Sequence, residues 1–81
     1  MTFRLLAFAT AADTLGAAES SFELPAGSCV KDLRDTLERT YPALKRLGLS
    51  LAIAVDGQIV SADTPLQEGC EVALLPPVSG G

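Results

Sequence analysis

Ser28-Cys-Val-Lys-Asp-Leu-Arg-Asp-Thr-Leu-Glu-Arg-Thr-Tyr-Pro42 is the stretch that decides the fold, because it carries the one clear helical period in the chain. Val30, Leu33 and Leu37, with Leu44 beyond them, recur at spacings of three, four and seven, which gathers them on one face of an α-helix. Lys31, Asp32, Arg34, Asp35, Glu38 and Arg39 take the other face. Lys31/Asp35, Arg34/Glu38 and Asp35/Arg39 lie four apart and read as solvated helix pairs worth a few tenths of a kcal/mol each. Ser28 is the expected N-cap, its hydroxyl accepting a hydrogen bond from a backbone N–H of the first turn. Pro42 disfavours helical geometry at Tyr41, and Gly48 marks the end of a loose second turn.

On both sides of this helix the pattern is that of strands. Phe3 to Phe8 alternates Phe3, Leu5 and Ala7 against Arg4, Leu6 and Phe8, apolar on both faces as a central strand requires. Thr10 to Ala18 reads as a loop of small residues, and Ser20 to Leu24 as a second strand closing a hairpin before Pro25-Ala-Gly27. After Gly48, Leu51 to Val55 and Gln58 to Val60 flank Asp56-Gly57, a pair suited to a tight type I′ turn. Glu71 to Leu75 forms the last strand, ended by Pro76-Pro77, which have no N–H for a sheet ladder. The order β, β, α, β, β, β places one amphipathic helix over one face of a sheet. The order fits an open sheet with a helix across it and, by analogy of topology, resembles the α+β ubiquitin-like β-grasp arrangement, with a mixed sheet of about five strands and one main helix packed across one face. The expected domain spans 1–75, followed by an extended tail over 76–81.

The composition excludes several kinds of function. A chain of 81 residues is one small domain with little room for a deep substrate pocket. The net charge is −4 and the six basic residues are scattered, whereas nucleic-acid binding needs a dense basic face. Histidine is absent, and Cys29 and Cys70 stand far apart without CxxC spacing, so neither a zinc site nor a Cys/His nucleophile is expected. The two cysteines read as reduced thiols of a cytoplasmic protein. Arg4, the apolar stretch from Leu5 to Ala9, and the small residues Ala9, Ala11 and Ala12 imitate a secretion signal, but the apolar run is short. No segment approaches the length of a membrane span. No metal, nucleic acid or membrane partner is expected.

The chemistry is concentrated at the end of the chain, Val72-Ala-Leu-Leu-Pro-Pro-Val-Ser-Gly-Gly81. Pro76-Pro77 extends stiffly and lifts the chain from the sheet, while Gly80-Gly81 has no side chain and can enter a slot too narrow for a Cβ. The residues from Pro76 onward, through Pro77, Val78 and Ser79, reach roughly 20 Å when extended. A carboxylate at Gly81 on such a tether can be delivered to another protein's active site. Inert fraying, the commonest fate of a glycine-rich terminus, is the alternative.

The sequence resembles the molybdopterin synthase small subunit, a family that belongs with the thiamin-pathway sulfur carriers. The likeness is carried by Leu6-Ala-Phe-Ala9, Leu15-Gly16, Pro65-Leu66 with Glu68-Gly69, and above all Glu71-Val-Ala-Leu-Leu-Pro-Pro-Val-Ser-Gly-Gly81. Asp56, where an asparagine is expected, and Cys70, where an acidic residue is expected, depart from the pattern without touching the tail. The resemblance implies that a ubiquitin-activating-type adenylyltransferase uses ATP to adenylate Gly81, which becomes a thiocarboxylate. The loaded tail then enters the synthase large subunit, in a heterotetramer of two large and two small subunits, and gives sulfur to cyclic pyranopterin monophosphate. In this reading the chain is a sulfur donor without catalytic residues or a permanently bound cofactor.

Three other readings share the same residues: a thiamin thiazole carrier, a ubiquitin-like modifier conjugated through Gly81, and a β-grasp interaction module with an inert tail. An apolar surplus favours a partner, since one helix covers one sheet face and leaves the other bare. Leu6 and Phe8, together with one of the sets Val72/Leu74 or Ala73/Leu75, fall on that uncovered face. Phe8, Leu6, Leu74 and Leu75 are therefore the candidate partner-contact residues.

Overall fold

The computed structural model describes residues 1–46 and 51–76. Among them, five strands form one sheet: β1 (Thr2–Ala7), β2 (Glu19–Glu23), β3 (Ala52–Val55), β4 (Gln58–Ile59) and β5 (Glu71–Leu75). Their spatial order is β2-β1-β5-β3-β4. β1 and β5 run parallel at the centre, and the other neighbours pair antiparallel. The sheet is the mixed, five-stranded β-grasp sheet expected from the sequence.

The main helix, α2 (Val30–Thr40), lies across one face. Val30, Leu33, Leu37 and Leu44 are buried as their spacing predicts, and they meet Phe3, Leu5, Ile53, Val72 and Leu74 in a single core. The Phe3 and Phe22 rings, 5.8 Å apart at 42°, close the β2 side of that core in a tilted aromatic pair. The N-terminus of α2 is anchored by the segment that precedes β5. Val30 and Lys31 donate their otherwise orphaned N–H groups to the carbonyls of Thr64 and Ala62, at 2.9 and 2.8 Å.

Three local expectations change. The cap of α2 is Cys29, whose side chain accepts from the Asp32 N–H while the Asp32 carboxylate accepts from the Cys29 N–H. This is a capping box built on a thiol. Those hydrogen bonds hold the Asp32 carboxyl below its usual range. Ser28 instead donates its hydroxyl to the Pro25 carbonyl at 2.7 Å, bracing the turn before the helix.

The second change is that the stretch read as a loop contains a short helix, α1 (Ala9–Leu15). Its residues are small because the space at the end of the sheet is small: Ala11 is fully buried, and Ala12 and Leu15 pack against the core. Gly16 ends it in the left-handed region, its N–H donating to Ala12 O. Phe8 is consequently the residue that caps α1 rather than the last residue of β1. The third change is that Pro42–Arg46 forms a 3₁₀ turn. Gly48, the expected end of that turn, lies outside the described residues.

Asp56-Gly57 behaves as predicted. Both residues have positive φ, 50° and 87°, as a type I′ hairpin between β3 and β4 demands, and the Asp56 carboxylate also accepts from the Glu71 N–H. Replacing either Leu33 or Leu37 by alanine should cost about 2–5 kcal/mol, a large share of a small domain's stability. Thermal melts followed by circular dichroism should show a marked fall in midpoint for both variants; unchanged melts would contradict this placement of the core.

Candidate functional site

The tail's attachment point follows from the central pairing. In the parallel register Leu5 stands beside Val72, Leu6 beside Ala73, and Ala7 beside Leu74. On the other side Leu75 stands beside Ala52 and Ala73 beside Ala54. The chain therefore leaves β5 between Ala52 and the start of α1, where the Phe8 N–H donates to Leu74 O at 3.3 Å. Pro76 is the last described residue and is half-buried. Pro77, Val78, Ser79, Gly80 and Gly81, the expected sulfur-bearing segment, lie outside the described residues.

Alternation along the strands decides which of the two candidate sets faces outward. Val72 and Leu74 are wholly buried under α2. Leu74, one of the expected partner-contact residues, thus belongs to the core, and the outward set is Ala73 and Leu75. Leu6 and Phe8 share their face as expected. Phe8 keeps an extended backbone (φ −120°, ψ 152°), so its ring continues the alternation of β1 and stands 48% exposed.

The same register adds residues the sequence reading missed. Ala54 pairs with Ile59 across the hairpin, which brings Ile59, 71% exposed, into line with Ala54, Ala73 and Leu6. The result is a line of Leu6, Ala73, Ala54 and Ile59 across four strands, with Leu75 and Ala52 in the next row; Ile59 and, beside the line, Phe8 are exposed, Leu6, Ala73, Leu75 and Ala52 are half-buried, and Ala54 is buried. The signal for Ile59 was present in the sequence: a two-residue Asp56-Gly57 turn fixes Val55 opposite Gln58 and hence Ala54 opposite Ile59. The three alanines make the middle of the strip low, while Phe8, Leu75 and Ile59 stand above it. α1 packs on the core side, so no described element covers this face, although the Thr10 to Ala18 stretch was the natural candidate to fold over it.

A polar border runs along one side of the strip. The Arg4 guanidinium lies 2.7 Å from the Glu19 carboxylate and 3.4 Å from that of Glu71. All three side chains are about half-exposed, so the pairs are screened and their main effect is to orient charge at the margin of the patch. No group of three or more His, Cys, Asp or Glu side chains among the described residues is placed to hold a metal, and no helix among them is long and apolar enough to cross a membrane.

Residues 5–81 match the model of the ThiS family. The chain belongs to that family. It is 38% identical to a molybdopterin synthase sulfur carrier subunit of Phaeosphaeria nodorum, an alignment covering 98% of this chain and 90% of the relative. Among solved structures, SAMP1 of Haloferax volcanii, a small archaeal modifier protein, superposes with a TM-score of 0.85 at 26% identity, covering all of both chains. A complex of subunits 1 and 2 of the molybdopterin-converting factor from Helicobacter pylori matches with a TM-score of 0.70 at 27% identity, again over all of both chains.

Neither cysteine of this ThiS-family member sits on the outer face near the tail. Cys70 is buried and Cys29 caps α2. Cys29→Ser should hold or raise the thermal midpoint, because a hydroxyl caps a helix better than a thiol does. A Cys29→Ser, Cys70→Ser double variant that folds should still accept sulfur on its C-terminus. Loss of loading in that folded variant, read by intact mass, would assign a cysteine to the chemistry.

Proposed function

We propose that this chain is the sulfur-carrier subunit of a molybdopterin synthase and that Gly81 is its working residue. The observation that carries the reading is the continuity of β5 with the tail: the strand emerges at the border of an exposed apolar face, so docking that face also aims the C-terminus. Family membership and the likeness to a named sulfur carrier support sulfur carriage, and the steps proposed for it are those a C-terminal carboxylate allows. A ubiquitin-activating-type adenylyltransferase joins the Gly81 carboxylate to AMP with release of pyrophosphate, and a sulfur donor displaces AMP to leave a thiocarboxylate. Its sulfur is anionic at neutral pH and a stronger nucleophile than a carboxylate oxygen. Two such carriers, one on each half of a heterotetramer with two large subunits, give their sulfurs to cyclic pyranopterin monophosphate.

Each part of the tail has a task in this cycle. A Pro-Pro pair favours an extended root by its fixed φ, which would reduce the entropy lost when the tail threads into a channel. Val78 and Ser79 supply the last side chains, and Gly80-Gly81 leaves the carbonyl open to attack on both faces. The partner surface consists of Phe8, Leu6 and Leu75, with Ile59 and the three alanines between them. The likeness to subunits of the Helicobacter pylori molybdopterin-converting factor complex supports a second, larger subunit as the partner.

The likeness to SAMP1 favours a second reading, in which the activated Gly81 is attacked by a lysine amine and the chain becomes a protein modifier. Both readings use the same adenylate and differ in the nucleophile that follows. Isopeptide-linked adducts ending at Gly81 in cell extracts would identify the modifier; a free thiocarboxylate pool identifies the carrier.

Two variants test the proposal. Gly81→Val should lose loading while its melt stays unchanged, and normal loading of this variant would sink the mechanism. Phe8→Asp should weaken binding to the large subunit by about 2 kcal/mol or more, the scale of an interface hot spot. Its fold should survive because Phe8 is half-exposed and aspartate is a good N-cap for α1. Titration calorimetry showing unchanged affinity would place the interface elsewhere.

A further inference from the structure

The charged residues of the chain are divided unevenly between the two sides of the sheet. α1, α2, the 3₁₀ turn and the loop that anchors the N-terminus of α2 hold five of the six basic residues and five of the ten acidic ones. That side is neutral. The net charge of −4 therefore resides in the remaining six residues, Arg4, Glu19, Glu23, Asp56, Glu68 and Glu71, which belong to the strands or to the turns that join them.

Pairing and hydrogen bonding gather these six at one end of the outer face. Thr2, Arg4 and Leu6 point outward while Phe3, Leu5 and Ala7 are buried; Glu23 stands opposite Thr2, and Glu71 stands beside Arg4. The Glu68 carboxylate accepts from the Thr2 N–H, and the Asp56 carboxylate from the Glu71 N–H, each at 3.0 Å. Glu19, opposite Leu6, is held toward the group by Arg4. Arg4 offsets one of the five carboxylates, and the α-amino group of Met1, counted at this end, offsets a second. Three negative charges remain in excess, because a backbone N–H strengthens a carboxylate's hydrogen bonding without cancelling its charge.

This acidic end is continuous with the apolar face. The row of Arg4 and Glu71 is followed by that of Leu6, Ala73 and Ala54, and then by Leu75 and Ala52. At about 3.3 Å per residue, Glu71 lies about 13 Å from Leu75, where the chain departs for the tail. Along β5 the outer face thus changes from acidic, through apolar, to the root of the tail.

That order gives the face a direction. Apolar contact alone is non-directional, so the apolar rows could seat a partner either way round, and only one way brings the tail to its slot. A basic margin on the partner selects that way, through attraction at the acidic end and loss of it in the reversed pose. A second copy of this chain brings the same excess of negative charge, as do a nucleic acid and an anionic bilayer, and all three are disfavoured here. With the outer face as the docking surface of a larger subunit, on which this rests, we infer that its acidic end is an orienting contact. It receives a cluster of lysine or arginine side chains of the larger subunit, beyond the rim of apolar contact, and so sets the direction in which β5 delivers the tail.

Stopped-flow association of the full chain with the larger subunit of a molybdopterin synthase tests this. Raising sodium chloride from about 10 mM to about 0.15 M shortens the Debye length from about 30 Å to about 8 Å. The association rate constant should fall about fivefold over that range, with a change of less than about twofold in dissociation. A Glu23→Gln, Glu71→Gln double variant should associate about fivefold more slowly at the lower salt and lose most of the salt dependence. An Asp13→Asn, Asp35→Asn double variant removes the same formal charge from the helix side and should associate within about twofold of wild type. If the glutamine variant melts early, the salt dependence of the wild-type chain decides. Binding that Phe8→Ala weakens, but that neither salt nor the glutamine pair slows, would leave the docking face standing and overturn the orienting contact. Equal slowing by the two double variants would overturn it as well, since net charge alone would then account for the effect. Failure of the wild-type chain to bind would overturn the docking reading itself and the orienting contact with it.

Discussion

The parallel pairing of β1 with β5 is the constraint on which the rest of the molecule depends. It joins the beginning of the chain to its last strand, so everything between them must serve as the crossover. With Leu5 beside Val72 and Leu6 beside Ala73, Phe3, Leu5, Val72 and Leu74 go under α2 while Leu6, Ala73 and Leu75 go to the opposite face. A slip of one residue would exchange the two sets. It would bury the outer row and expose the valine and leucines that α2 packs against, so the core itself enforces the register. The tail's starting point is fixed by the same register.

The outer face is then a consequence of sheet arithmetic. α1 could have shielded it, but it tucks Ala11 and Ala12 into the core side. The uncovered face is low in the middle and raised at Phe8, Leu75 and Ile59. In the proposed function a partner grips that shape beside the point where β5 ends, so that binding of the face and insertion of the tail would share one loss of translational freedom. The electrostatic border of Arg4, Glu19 and Glu71 adds orientation more than energy, because each charge remains wet. β2 completes the picture at the far margin, where glutamates guard an edge against self-pairing.

Much of this was legible in the sequence, for physical reasons that differ from element to element. α2 was legible because Val30, Leu33 and Leu37 keep a strict helical period, and the β3–β4 hairpin because Asp56-Gly57 supports few other turns. α1 was hidden because Thr10 to Ala18 carries too little side-chain volume for a hydrophobic period; alanine favours helix, but here its selection reflects a cramped site. The cap at Cys29 was hidden because serine outranks cysteine as an N-cap in isolation, whereas the Pro25–Ser28 turn engages the serine hydroxyl first. The face of Leu74 could not be read from β5 alone, where Val72, Ala73, Leu74 and Leu75 are all apolar; pairing with β1 resolves it. The tail is the reverse case. Its proposed role was read from two prolines and two glycines alone, and Pro77 to Gly81 lie outside the described residues.

The central claim is that the fold exists to present Gly81 for activation. It is tested most directly by intact and tandem mass spectrometry of the wild-type chain after incubation with ATP, a ubiquitin-activating-type adenylyltransferase and a sulfide source. The account predicts a mass increase equal to the exchange of one oxygen for one sulfur, localised to Gly81 and dependent on ATP. An unchanged C-terminus under those conditions, or sulfur found on Cys29 or Cys70 instead, would contradict it.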